Sequence, residues 1–201
     1  MKTNKNLLIS AFLVFGILFI LGILILIKFQ SQKEIKIAHK EQQKTEEVRG
    51  NFQEEIKIVR GNSLEPLVLA GAEIKVLPDY YKYQEIKRDD LALYHYAGND
   101  VPLLKIVKAI PQDTFKLVAK DNNNNYNLFI NDKIATNSQG LAYVFNEKQF
   151  KMLSLYKRDY NGIIPQNTYL LLGDQVNGSF DSSAFGLVDK SDILGKAVVI
   201  K

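Results

Sequence analysis

Two short segments carry residue types that can do chemistry together. Residues 61–66 read Gly-Asn-Ser-Leu-Glu-Pro, so Ser63 sits between a glycine and a proline, where a backbone turns tightly and presents a side chain. Residues 103–113 read Leu-Leu-Lys-Ile-Val-Lys-Ala-Ile-Pro-Gln-Asp, which sets Lys105 inside an apolar run. A serine hydroxyl is a weak nucleophile until a neighbour takes its proton. A lysine can do that only where burial disfavours its ammonium form. A turn serine and a strand lysine are thus the ingredients of a Ser/Lys hydrolase dyad. Each also has an ordinary reading: turn serines are common, and a lysine stem can pack on apolar neighbours while its amine reaches water. Lys108 competes with Lys105, but strand alternation puts the two on opposite faces, so at most one faces the nucleophile.

A third segment, residues 173–186, reads Gly-Asp-Gln-Val-Asn-Gly-Ser-Phe-Asp-Ser-Ser-Ala-Phe-Gly. In order and spacing the three segments resemble the three boxes of bacterial type I signal peptidases, over roughly residues 55–200. The resemblance implies Ser63 as nucleophile and Lys105 as general base, since the family's base lies six residues before a proline, here Pro111. It also implies that Ser179 hydrogen-bonds the lysine amine, and that Asp181 and Asp174 brace the site from behind. A free lysine near 10.4 would be neutral about once in several thousand molecules at pH 7, so burial against groups such as Leu103 and Val107 has to lower its pKa. A serine hydroxyl orients the amine without adding a negative charge that would raise that pKa again. The oxyanion site falls at the Ser63 backbone N–H and at Gly61, the position where some members add a hydroxyl. Gly61 has none, which leaves a leaner hole or one completed by water. Val59, Leu64, Val68, Leu103 and Leu104 match positions that line the family's shallow pockets for small side chains.

The chain departs from the family pattern at several bracing positions. Ile106 replaces the arginine after the base, and Gln112 the second glycine of that box. Gln175-Val176 replaces the late Asn-Arg pair, Ser183 the arginine that would pair with Asp181, and Leu64 the methionine after the nucleophile. The side chains proposed to carry chemistry all survive. His95, in the strand pattern Leu93-Tyr94-His95-Tyr96, reads as structural, and His39 as solvated. With no cysteine and two histidines, disulfides and thiolate metal sites are excluded, and neither a metal nor a cofactor is expected.

These residues need elements to hold them. Period-two patterning begins at Glu55, with Ile56 and Ile58 on one face, and the strand runs into Gly61. Further strands are expected over Ile74–Leu77, Leu91–Tyr96, Leu103–Ile110, Thr114–Val118, Leu128–Ile130, Tyr169–Leu172 and Leu194–Ile200. The asparagine run at 122–125 reads as a hairpin tip. Glu147–Tyr156 is the one soluble stretch with helical character, with Phe150, Leu153 and Tyr156 along a face. Many short strands with little helix predict an all-β sandwich or folded barrel. The resemblance implies a mostly β catalytic domain of coiled antiparallel sheets, with one N-terminal transmembrane helix.

Leu7–Ile27 is an apolar run broken only by Ser10, Gly16 and Gly22, and its 21 residues span about 30 Å as a helix, the thickness of a bilayer's hydrocarbon. It lacks the small-x-small site of a cleavable signal peptide and reads as an anchor. The expected organisation is a cytoplasmic 1–6, a transmembrane helix 7–27, a polar stalk 28–54 and a peptidase domain 55–201. The net charge of +4 is spread over scattered lysines, which points to solvation and some membrane-surface attraction rather than nucleic acid.

The expectation is therefore a single-pass serine endopeptidase of the cytoplasmic membrane. Its catalytic domain, a monomer, lies on the extracytoplasmic side and removes signal peptides from exported preproteins. Alternatives are a specialised peptidase for a pilin or conjugation substrate, a self-cleaving repressor-type protein, and a catalytically idle assembly-chaperone relative. The apolar N-terminal run and lack of a DNA-binding helix pair argue against the repressor; retention of both Ser63 and Lys105 argues against the idle relative.

Overall fold

The computed structural model describes residues 23, 27–36, 53–97 and 101–200. The chain divides into two units, Met1–Asn51 and Phe52–Lys201. In the first, residues 27–36 are helical. Most of the expected 7–27 span, and the stalk beyond residue 36 as far as residue 52, lie outside the described residues. Among the described residues no helix is long and apolar enough to cross a membrane.

The second unit is built from two antiparallel sheets. The larger comprises β1 (Glu55–Ile58), β2 (Glu73–Pro78), β3 (Leu91–Tyr94), β4 (Leu103–Ala109), β9 (Thr168–Leu172), β10 (Val188–Asp189) and β11 (Ile193–Val199), in the spatial order β1-β2-β11-β3-β4-β9-β10. The smaller comprises β5 (Phe115–Ala119), β6 (Tyr126–Ile130), β7 (Lys133–Ile134) and β8 (Val144–Phe145), with β6 pairing all three others. The predicted strands are all present, shifted by one or two residues at their ends. The asparagine run is the β5–β6 hairpin tip, where the Asp121 carboxylate accepts the Asn123 N–H at 2.8 Å.

The strand alternation sorts side chains into three apolar clusters. Leu64, Val68, Ile74, Leu93 and Ile106 form one; Tyr81, Ala92, Tyr94, Val107 and Leu171 form a second. The third joins the smaller sheet to α2 (Glu147–Asp159) through Phe115, Leu128, Phe145, Leu153 and Leu170. Neighbouring residues of β4 and β9 enter different clusters, so both strands are buried on both faces. This explains why apolar residues dominate both strands.

Three details correct the sequence reading. Helix α2 runs to Asp159, three residues past the predicted end, and α1 (Tyr80–Tyr83) and α3 (Ser182–Phe185) are further helices of one turn each. Strand β1 buries neither face, because it is the sheet's edge; Ile56 and Ile58 are both exposed. Gln112, where the family pattern has glycine, still adopts the left-handed conformation at φ 72°, and its N–H donates to the Ile164 carbonyl at 3.0 Å. A side chain there carries a steric cost of about 1–2 kcal/mol, partly offset by the smaller entropy of the unfolded chain. Gln112→Gly is expected to stabilise the domain by about 0.5–1 kcal/mol in urea unfolding; a loss of stability would contradict the assigned backbone.

Candidate active site

Ser63 sits on a turn closed by the Glu65 N–H donating to the Asn62 carbonyl at 3.0 Å, just after Gly61 at φ 79°. Leu64, 1% exposed, plugs this turn into the first apolar cluster, a burial worth about 1.5–3 kcal/mol. From the far side, the Asp174 N–H donates to the Ser63 carbonyl at 2.8 Å and Gln175 Nε2 to the Asn62 carbonyl at 2.9 Å. The turn is thus stitched to the loop after β9, more than 100 residues away in sequence.

Lys105 lies mid-strand on β4, opposite Ala92 of β3. The small partner leaves room for a long stem, and the lysine is 3% exposed. Its Nζ is hydrogen-bonded to Ser63 Oγ at 2.7 Å and donates to the Leu104 carbonyl at 3.1 Å. Burial lowers its pKa below the ordinary lysine value, against an opposing upward pull from the Asp181 carboxylate. Lys108, at a register shift between Val107 and Ala109, has its amine on Asp89 at 2.8 Å. A hydroxyl within hydrogen-bond reach of an amine whose pKa burial lowers is an arrangement able to activate a nucleophile.

The Ser179 hydroxyl is placed differently from the expectation. It donates to Asp181 at 2.7 Å, while the Lys105 amine is bonded to Ser63 and Leu104. A carboxylate is a stronger acceptor than an amine and lies two residues away, so it captures the hydroxyl. Asp181 is fully buried and also accepts the N–H groups of Gly173, Ser179 and Ser183 and the Ser183 hydroxyl. Asp174, equally buried, accepts from the Leu67 N–H and from the Ser138 N–H and hydroxyl. Both acids tie loops together.

An apolar groove of about 560 Å³ opens beside the dyad. Val59, Leu64, Leu103 and Leu104 line it, with Ile56 and Ile58 of the edge strand at its rim. Val68 does not line it: at 2% exposed, it packs in the cluster beneath. The Ser63 N–H takes no part in its own turn's hydrogen bond, whereas Gly61 contributes only its backbone conformation. Among the described residues no three His, Cys, Asp or Glu side chains stand close enough to hold a metal ion.

Sequence reasoning missed Asp113. Burial pushes its carboxyl up, but Arg88, the Ile110 N–H and Asn131 outweigh that and hold it below the ordinary carboxylate range. These bonds pin the turn that ends β4, and so fix the strand carrying Lys105. The signal was the acid closing the Pro111-Gln112-Asp113 box; its partners, 18 and 25 residues away, had none.

A comparison with family models matches residues 48–201 to "Signal peptidase, peptidase S26". The chain belongs to this family. It is a serine peptidase, a hydrolase. Signal peptidase IB of Staphylococcus aureus (strain Mu50) is 30% identical over 146 residues, covering 69% of this chain and 72% of that protein. A protein described as inactive signal peptidase IA, from Staphylococcus aureus (strain COL), is 28% identical over 140 residues, covering 69% and 73%. Among solved structures, a signal peptidase I from Enterococcus faecalis V583 matches with a TM-score of 0.39 at 18% identity, over 59% of this chain and 98% of that one.

Proposed function

We propose that this peptidase is a membrane-anchored endopeptidase that removes signal peptides from exported preproteins with a Ser63/Lys105 dyad. The observation that carries the reading is the 2.7 Å contact between the Ser63 hydroxyl and the amine of a lysine 3% exposed, at the end of an apolar groove. A preprotein segment lies extended in the groove, with small side chains before the scissile bond over Val59, Leu64, Leu103 and Leu104. The neutral Lys105 amine takes the Ser63 proton as Oγ attacks the scissile carbonyl carbon. The Ser63 N–H faces the resulting oxyanion. The Lys105 ammonium then gives its proton to the departing amine, and the C–N bond breaks to leave an acyl-enzyme. Water, deprotonated in turn by Lys105, hydrolyses that ester and restores the serine. Ser179, Asp181 and Asp174 hold the loops around these groups. An idle role, as in the inactive relative, has no use for a buried lysine held against a serine. Incubating the detergent-solubilised protein with a preprotein and sequencing the product's new N terminus tests the reading. Cleavage after a small residue is expected; an intact preprotein would overturn it.

The anchor is the apolar run 7–27, with the peptidase unit on the outer side of the cytoplasmic membrane. Charge alone argues the other way: Lys2 and Lys5 precede the run, whereas Lys28, Lys33, Lys36, Lys40 and Lys44 follow it. Function outweighs this, because signal peptides are cut after translocation and long domains are exported despite nearby positive charge. Protease added to intact spheroplasts is expected to digest the chain beyond the stalk. Protection until lysis would reverse the topology.

A further inference from the structure

Asp181 is a fully buried carboxylate, and its Oδ1 is satisfied by one residue, Ser183, through an N–H at 2.9 Å and a hydroxyl at 2.7 Å. A serine hydroxyl has one proton and rotates to suit its surroundings, so something has to direct it. Ser183 is itself fully buried, and Gln149 Nε2 donates to its Oγ at 3.0 Å. The orientation of that amide is set from both ends. Its Oε1 accepts the Asn146 N–H at 3.0 Å in the capping box of α2, and Nε2 also donates to the Asn177 carbonyl at 3.2 Å. An amide nitrogen cannot accept, so the Ser183 proton has one place left to go, the Asp181 carboxylate. Asp181 in turn holds the Gly173 N–H at 3.0 Å, and the next residue, Asp174, holds the Ser63 carbonyl. Space behind this chain is tight: a side-chain carbon at Gly178 would collide with the Gln149 amide.

We propose that Gln149 is a positioning residue: from the first turn of α2 its amide directs the Ser183 hydroxyl onto Asp181, and thereby fixes the carboxylate and loop behind the dyad. In this chain it serves where the family resemblance has an arginine at position 183. The proposal rests on the Ser63/Lys105 reading. An amide supplies donors without charge, so the field at Lys105 is set by Asp181 without a cationic partner beside it. Among the described residues, Tyr94 and Tyr143 also feel the Asp181 carboxylate, Lys57 and Arg60 line the groove, and Glu147 and Lys151 of α2 pair with each other at 2.6 Å.

The test is a set of variants of the full chain assayed on a signal-sequence peptide across pH. Gln149→Glu replaces the donor with an acceptor. The Ser183 proton then has two carboxylates to choose between, and a second negative charge favours the Lys105 ammonium. The acidic limb of kcat/KM against pH is expected to move up by about half a unit to one unit. Gln149→Leu should lower kcat about three- to tenfold with KM little changed, and should have no further effect in a Ser183→Ala background. Asn146→Ala removes the helix cap but not the Ser183 bond, and should lower the unfolding temperature while leaving the pH limb in place. A Gln149→Glu limb superimposed on wild type, or Gln149→Leu and Ser183→Ala effects that simply multiply, would overturn the proposal. Near-normal turnover of Lys105→Ala would instead bring down the dyad reading on which it rests. Gln149→Glu is nearly isosteric, so it keeps the test open should Gln149→Leu fail to fold.

Discussion

Lys105→Ala is expected to cut preprotein turnover by about 10³–10⁴-fold, as is Ser63→Ala, while Lys108→Ala keeps most of it. Only one of the two lysines has its amine against the serine; the other is tied to the exposed Asp89. Near-normal turnover of Lys105→Ala, with loss in Lys108→Ala, would reverse the assignment. The pH dependence follows from the same burial. In the proposed dyad the base works as the free amine, and desolvation lowers its pKa, so activity should rise with pH along a limb below the ordinary lysine value near 10.4. Burial also makes the lysine a stability cost, and the sign can be worked out. The folded state releases the proton at a lower pH than the unfolded chain does. Between those two pKa values the unfolded state binds more protons, so stability rises with pH across that window. Below it the full penalty of a buried ammonium applies. Lys105→Met should therefore abolish cleavage yet raise the midpoint of chemical unfolding, by more near pH 6 than near pH 10. A lowered midpoint at both pH values would mean that the amine is not desolvated in the folded protein.

The pairing of Ser63 with Lys105, now seen as a 2.7 Å contact, could be read from local contexts with a physical meaning, a tight turn and an apolar strand. Alternation then separated Lys105 from Lys108 before any coordinates. The long strands were legible for the same reason. Elements of two to four residues, such as β7, β8, β10, α1 and α3, are too short to show a period, and they form because neighbours pair with them. What sequence could not give was which acceptor each hydroxyl chooses. Ser179 was expected to bond an amine and donates to a carboxylate instead, because the loop places Asp181 within 2.7 Å. Gln149, likewise, reads locally as half of a capping box; its second contact lies 34 residues downstream. Replacement of the family's arginine by Ser183 looked like a loss, but the requirement was for donors to a buried carboxylate, which hydroxyl, backbone and amide groups also meet.

Gly173→Ala is expected to lower activity strongly, although less than loss of Ser63 or Lys105, and although glycine does no chemistry. Gly173 directly follows β9 at the point where three groups converge: its N–H reaches Asp181 at 3.0 Å, its carbonyl accepts the Tyr143 hydroxyl at 2.7 Å, and the N–H of Asp174 beside it donates to the Ser63 carbonyl. A side-chain carbon built there would lie 2.5 Å from the Ser63 carbonyl oxygen and would also collide with the Ser179 hydroxyl. The serine hydroxyl can rotate away, but the backbone carbonyl cannot move without carrying Ser63 with it. Displacement of a reacting group by about 1 Å can cost on the order of 10²-fold in rate, and overpacking of this kind costs about 1–3 kcal/mol of stability. A kcat lowered by about two orders of magnitude, with the fold retained by circular dichroism, is the expected result. Removing the softer clash in a Gly173→Ala, Ser179→Ala double variant should not restore activity, because the contact with the Ser63 carbonyl remains. Rescue by that second change would place the constraint on the serine hydroxyl rather than on the backbone that carries the nucleophile.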